Sequence, residues 1–452
     1  MNNTQRIGPS ILTLTTALCL AVVPTAWAQT FTLLHTFTSG QGVYPVGSLI
    51  LSNATLYGMT SSGVFKMNTN GSGCSNLHYF GGFAGNAESP HAALTLAGTN
   101  LYGMTVEGGA GVGVAFRVGT NGLGYTALHY FNGRETNGSR PYGSLTLANG
   151  KLYGMAYIGG ASNLGALFRM NTDGSGWTNL HAFAGGAADG ANPGGDLTLS
   201  GTNFYGMTSQ GGAAGLGVVF RVNTNGTGYT NLHSFAGYPN DGAGPPGSLA
   251  LDGSTLYGMT QEGGPAAARL GIVFKMNTDG SSYTNLHSFA GGTGDGATPL
   301  GSLTLANGWL YGMTSVGGMN NKGTVFRVST DGRSYTNFRS FAGGAGDGAT
   351  PYGSLTLNGS TLYGMTYYGG TNNVGVVFTL LNLPPAPPPS LAVVYANKQA
   401  IVSWPSSVSG WTLQTNNDPA TGTWGNYVGP IINNTVTNSP TNGNRFFRLR
   451  HP

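Results

Sequence analysis

A five-residue string, Leu56-Tyr57-Gly58-Met59-Thr60, returns seven times along the chain, with its tyrosine at 57, 102, 153, 205, 257, 311 and 363. Phe204 and Ala156 are its only departures in the flanking positions. The intervals are 45, 51, 52, 52, 54 and 52 residues, a period that restricts the chain to a solenoid or a propeller. Each period holds four short β-type runs bounded by Gly, Asn or Asp turn signals. In the fourth copy the runs are 196–199, 204–208, 217–222 and 229–235. The turns 200–203 and 223–228 are tight, and Asn225-Gly226 suits the positive φ angles of a hairpin. Four antiparallel strands joined this way make one propeller blade.

The two ends of the repeat region decide between the alternatives. The seventh copy supplies three strands, 354–357, 362–366 and 374–381, and stops before an outer one. The missing outer strand stands at the other end, as Thr32-Leu33-Leu34-His35-Thr36-Phe37. A split repeat lets the first strand complete the last blade and leaves no open edge, whereas an open solenoid wants polar caps. The expectation is an all-β chain with a seven-bladed propeller over 30–383, closed by its N-terminal strand.

Outside that body, residues 1–29 run from Arg6 through an apolar stretch to Ala26-Trp27-Ala28, the pattern of a cleaved signal peptide. Leu18 before Cys19 does not fit a lipid-attachment signal. No second long apolar run follows, so the expectation is a protein that does not span a membrane and is secreted to the extracellular space or cell surface. Cleavage leaves Cys74 alone, so no intrachain disulfide can form. Residues 384–389, Pro-Pro-Ala-Pro-Pro-Pro, form a semi-rigid linker. Residues 390–452, with Trp404, Trp411, Trp424 and a closing Phe446-Phe447-Arg448-Leu449-Arg450, predict a small β-sandwich-like module, a candidate for surface attachment.

Charge is sparse. From residue 30 to 383 there are 13 Lys and Arg against 13 Asp and Glu. The basic excess belongs to the tail, where Lys398, Arg445, Arg448 and Arg450 face Asp418 alone. A neutral body offers no electrostatic footprint for nucleic acid.

The Leu-Tyr-Gly-Met-Thr, Gly-Val-Val-Phe and Asn-Leu-His-Ser-Phe-Ala strings, joined by Asp-Gly-Ala-x-Pro, resemble the repeats of the choice-of-anchor tandem repeat GloVer-containing proteins over residues 31–381. The resemblance implies a secreted or surface-attached bacterial protein whose C-terminal anchor varies between members. It carries over no activity and no functional residues. The tail resembles the small β modules that finish many secreted bacterial proteins.

Candidate chemistry reduces to a few patterns. Histidines 35, 78, 129, 181, 233 and 287 share one place in the repeat, with Arg339 in the seventh. Equivalent outer-strand positions cannot converge within about 2 Å of one ion, so these side chains are read as packing between blades, and no metal or cofactor is expected. The Tyr-Gly-Met strings are read as packing too, with glycine admitting a ring close to the backbone. Turns such as 171–177 and 277–283 resemble the Asp-box of sialidase-type propellers, which is structural there. Arg117, Arg169, Arg221 and Arg327 lie in separate blades and form no cluster, and Cys74, in a peripheral hairpin, gives no support to a copper-radical oxidase.

The connections carry more information. Asp189, Asp241, Asp295 and Asp347 each open an Asp-Gly-Ala leading into the next copy. In a propeller these connections share a face with the long, variable loops 106–113, 157–165, 209–217, 261–271, 315–323 and 367–375, while the opposite face repeats short turns. Variation on one face marks where a repeat scaffold binds. Each aspartate can serve its own turn by accepting backbone N–H groups, or a ligand or calcium at the channel mouth. Glu107, Glu135 and Glu262 break the repeat, but nothing pairs them as acid and base. Tyr367 and Tyr368 are the candidate contacts for a sugar or a protein pocket. The sequence therefore points to a monomeric, non-enzymatic extracellular scaffold for a glycan or protein, and the alternative is a polysaccharide-active hydrolase or lyase with its site at the channel mouth.

Overall fold

A computed structural model describes residues 30–81, 87–109, 112–133, 137–265, 269–381, 392–396, 399–403, 412–416, 423–431, 435–438 and 446–450. The signal-peptide and Pro-rich-linker expectations, and Glu135, lie outside them.

Among the described residues there is no helix, and the repeat region forms seven four-stranded antiparallel sheets. In the fourth copy the order is Thr198–Ser200, Asn203–Thr208, Val218–Asn223, Thr230–Ser234. The three middle-strand features read from sequence all have a packing cause. Gly206 stands opposite Phe220, and a Cβ there would lie 2.5 Å from the ring, so only glycine lets the phenylalanine lie flat on the strand. Tyr205 and Met207 point the other way, into a core with Val219, Phe235, Leu249, Leu256 and Phe274 of the next copy. Each such cluster spans two copies, so no sheet buries its faces alone.

The first strand runs Pro45–Ser52 in the first copy but is three residues long in the other six, one fewer than expected in the fourth. Its N-terminal residues bond to neighbouring copies instead. The amide of Asp196 donates to Ser248 Oγ at 2.7 Å, that of Ser248 to Ser302 Oγ at 2.8 Å, and that of Ser302 to Ser354 Oγ at 2.7 Å. The amide of Ser354 donates to Ser48 Oγ of the first copy at 2.8 Å. Thr356 Oγ1 likewise donates to the Leu49 carbonyl at 2.5 Å, as Thr304 Oγ1 does to Leu355.

The N-terminal strand, Thr30–Thr36, pairs antiparallel with Val376–Leu381 of the seventh copy and completes its four strands. Phe31 stacks on Phe378 with centroids 5.6 Å apart, and Phe37 is fully buried edge-on against Phe65 of the first copy.

Beyond residue 390 two three-stranded sheets are described. One comprises Ala392–Ala396, Gln399–Ser403 and Thr435–Asn438, the other Gly425–Asn426, Thr412–Asn416 and Phe446–Arg450. Leu413 and Val436 form their buried centre, and Arg448 lies over the Trp424 ring at 4.4 Å.

Candidate functional site

The two sets of connections do share a face, because they pair. Gly190–Ala191 forms a two-residue ribbon with Gln210–Gly211, and the same ribbon recurs at Gly242–Ala243 with Glu262–Gly263, Gly296–Ala297 with Val316–Gly317, and Gly348–Ala349 with Tyr368–Gly369. The residue before the recurring proline takes positive φ in all seven copies: Tyr44 54°, Ser89 52°, Arg140 52°, Asn192 58°, Gly244 58°, Thr298 54° and Thr350 54°. A left-handed non-glycine residue costs on the order of 1 kcal/mol, and hydrogen bonds on both sides hold it. In the seventh copy Thr350 donates its N–H to Lys322 O at 2.8 Å and accepts from Tyr367 N–H at 3.1 Å. A uniform, rigid frame thereby presents side chains that differ from copy to copy.

The four aspartates sit beneath this frame, each in its own copy. Asp189, Asp241 and Asp295 face His181, His233 and His287 at 3.0 to 3.1 Å, and Asp347 faces Arg339 at 2.9 Å. Each also accepts two amides of its own turn, as Asp241 does from Ala236 at 2.8 Å and Gly242 at 2.7 Å. The Tyr283 hydroxyl of the next copy donates to Asp241 Oδ1 at 2.6 Å. Burial pushes the carboxyls of Asp189, Asp241 and Asp295 up, but the histidine and amide hydrogen bonds more than offset it and leave them below the usual range. With these partners the carboxylates are spent on holding the turn and the neighbouring copy, which leaves little for a ligand.

The histidines pack between copies and also hold the aspartates. His181, His233 and His287 stack on Tyr229, Tyr283 and Tyr335 of the following copy at 4.0, 3.8 and 3.6 Å. In the seventh place the Arg339 guanidinium lies 3.5 Å over the Phe31 ring from the N-terminal strand, so the seam reproduces the internal junctions with a cation over a ring. Cys74 occupies the slot of these rings in the first copy, packed against the core rather than peripheral, and burial pushes its thiol up to about 11. Among the described residues no three His, Cys, Asp or Glu side chains are grouped to hold a metal ion.

The tyrosines do converge. Tyr367 stacks on Tyr44 at 4.8 Å, meets Tyr368 edge-on at 4.8 Å and Tyr352 at 5.0 Å. Tyr352 and Tyr368 are 40% and 39% exposed, which makes the cluster an open aromatic surface. Glu107 and Glu262 are exposed in separate ribbons, and Ser89 Oγ donates to Glu107 at 3.1 Å. Tyr44 and Tyr352 are the residues sequence reasoning missed. Their signal is positional: they flank the proline of the inter-copy connection, where most copies have small or polar residues.

The Gloeobacter/Verrucomicrobia repeat matches residues 22–206 and again 186–378. The chain belongs to this family. No curated protein matches the sequence. Among solved structures, this member of the repeat family is similar to the extracellular domain of BT4673 from B. thetaiotaomicron, with a TM-score of 0.51 and 10% identity, covering 85% of this chain and 43% of that one. A second structure of that domain gives 0.51 and 9% over 88% of this chain and 44% of that one. An oligogalacturonate lyase in complex with manganese gives 0.49 and 12% over 78% and 93%. At such identities the likeness concerns the fold alone, which is all-β and propeller-like. No helix among the described residues is long and apolar enough to cross a membrane.

Proposed function

We propose that the seven sheets are the blades of one propeller over residues 30–383, closed by the N-terminal strand, and that the secreted protein is a non-enzymatic scaffold binding a glycan on its loop face. The observation that carries the binding is the Tyr44, Tyr352, Tyr367, Tyr368 cluster. Aromatic rings held by one another lose little entropy on binding, and their faces suit the C–H side of a pyranose while their hydroxyls reach its oxygens. Support for closure comes from the Ser354 to Ser48 bond and the Arg339 to Phe31 contact across the seam. The likeness to an extracellular domain favours an extracellular setting. Residues 390–452 serve as a separate attachment module, and the propeller works as a monomer without nucleic acid or cofactor.

The test is a glycan and polysaccharide array with the mature protein, run beside a hydrolysis assay on the same panel. A Tyr367→Ala/Tyr368→Ala variant with unchanged circular dichroism should lose the glycans bound, while changes at Asn171 and Asn277 on the opposite face should not. Loss from the opposite-face variants alone would refute the assignment. Turnover of a panel member would establish the enzymatic alternative, and binding of proteins but no glycan would reassign the ligand class.

A further inference from the structure

The rim of the loop face has a gap at the first copy. Six copies connect their second and third strands through eight or more residues, and these connections build the ribbons and, in the third copy, the bridge between Ser139 and Ile158. In the first copy Thr55–Thr60 passes to Gly63–Asn68 through Ser61 and Ser62 alone. This is the origin of the short 45-residue interval. No ribbon forms there among the described residues. Ser61 instead caps the Val43 carbonyl with its N–H at 2.9 Å and its hydroxyl at 2.8 Å.

Aromatic side chains on this face gather in the copies flanking the gap, with Tyr238 of the fourth-to-fifth connection, 47% exposed beneath Arg269, standing apart from them. On one side stand Tyr44, Tyr352, Tyr367 and Tyr368. On the other, exposed His91 meets Tyr142 at 5.2 Å, and Tyr142 meets Tyr157 of the third copy at 5.1 Å. In copies four to six the corresponding places hold Asn192, Gly194, Ser209, Gly244, Pro246, Gln261, Thr298, Leu300 and Ser315, without one aromatic ring. A lowered floor carrying small hydroxyls, with an aromatic platform to either side, is the form of a groove for an extended chain.

Resting on the glycan reading above, we infer that the gap at Ser61 and Ser62 is a groove for an extended, neutral β-1,4-linked oligosaccharide, held by the tyrosine cluster and by a second subsite of His91, Tyr142 and Tyr157. A β-1,4-linked chain is a ribbon whose pyranose rings present flat C–H faces, so successive units can lie on separated rings. Length then matters: a hexasaccharide engages both platforms and a disaccharide only one, and linked contacts multiply rather than add in affinity.

The experiment is calorimetry with cellohexaose and cellobiose. The native protein should bind cellohexaose at least tenfold more tightly. Replacing Ser61–Ser62 by the nine residues 209–217 should rebuild the rim and erase that preference. Should the graft not fold, His91→Ala/Tyr142→Ala must bring cellohexaose down toward cellobiose. Equal affinity for the two sugars in the native protein, or an undiminished preference in a folded graft, overturns the groove and leaves the tyrosine platform standing. Native protein that binds other array glycans through Tyr367 and Tyr368, but neither cello-oligosaccharide, overturns the β-1,4 assignment alone. No array glycan bound at all overturns both.

Discussion

Replacing Phe37 by alanine probes the seam between the two ends of the repeat region against an internal standard. Phe37 and Phe235 hold the same place in their copies, and both are fully buried. Phe37 packs edge-on against Phe65 at 5.1 Å and against His35 at 5.0 Å, within a cluster of Leu49, Leu56, Met67, Tyr363, Met365 and Val377 drawn from the first and seventh copies. Withdrawing the ring from this environment forfeits about 1.5–3 kcal/mol of transfer free energy. Each of the two lost edge-to-face pairs adds about 0.5–1.5 kcal/mol, for a sum of about 2.5–6 kcal/mol that brackets the roughly 3–5 kcal/mol usual for a buried Phe→Ala change. Phe235→Ala loses the matching contacts with Phe274 at 5.4 Å and His233 at 4.9 Å and one further edge-on ring, Tyr283 at 6.3 Å, so it should cost as much as Phe37→Ala or about 1 kcal/mol more. Urea unfolding followed by tryptophan fluorescence and circular dichroism measures both. If the N-terminal strand were detached in solution, Phe37→Ala would behave as a surface change, within about 0.5 kcal/mol of the native protein, while Phe235→Ala kept its full cost. That inequality would refute closure. Deleting Thr30 to Phe37 should go further and cause aggregation, because it uncovers the edge of Val376–Leu381 together with its apolar contacts.

The junctions between copies give further outcomes. His181→Arg should be tolerated to within about 1 kcal/mol, since Arg339 already pairs with Asp347 in the same place, whereas His181→Asp sets two carboxylates face to face and should cost several times that in thermal unfolding. Chelators should leave the melting temperature unchanged. Acid should act through Asp189, Asp241 and Asp295: their depressed folded pKa values mean the stability they supply is complete above the unfolded value of about 3.9 and is lost as the pH falls through the folded values. Asp196 works in the opposite sense. It replaces serine in the series of inner-strand contacts between copies, burial pushes its carboxyl up, and its contribution worsens as the pH rises past the unfolded value. Asp196→Ser should therefore raise the melting temperature at pH 7 and change it little near pH 3, and a loss at pH 7 would contradict this.

Strands two and three were legible because their signal is local: a glycine faces a phenylalanine within their own pair, and an Asn-Gly turn marks where strand three ends and the outer strand begins. The missing outer strand was legible because His35 and Phe37 carry the repeat's own signature at the wrong end of the chain. The His181 to Asp189 pairing was present as a constant eight-residue spacing, but each member had an adequate explanation alone, packing for one and turn-making for the other. The tyrosine cluster was half visible. Tyr367 and Tyr368 are adjacent in sequence, whereas Tyr44 reaches them only because the two ends of the repeat region meet. The gap at Ser61 and Ser62 was written in the 45-residue interval, yet its meaning depended on ribbons of two residues, which no periodicity reveals.

Hydrogen–deuterium exchange of the mature protein, with and without the tightest-binding array glycan, asks most directly where the ligand sits. Protection should appear in the segments around Tyr44, Tyr352 and Tyr367–Gly369, with the turns 171–176 and 277–282 unchanged. Protection of those opposite turns, with the tyrosine segments unaffected, would contradict the account.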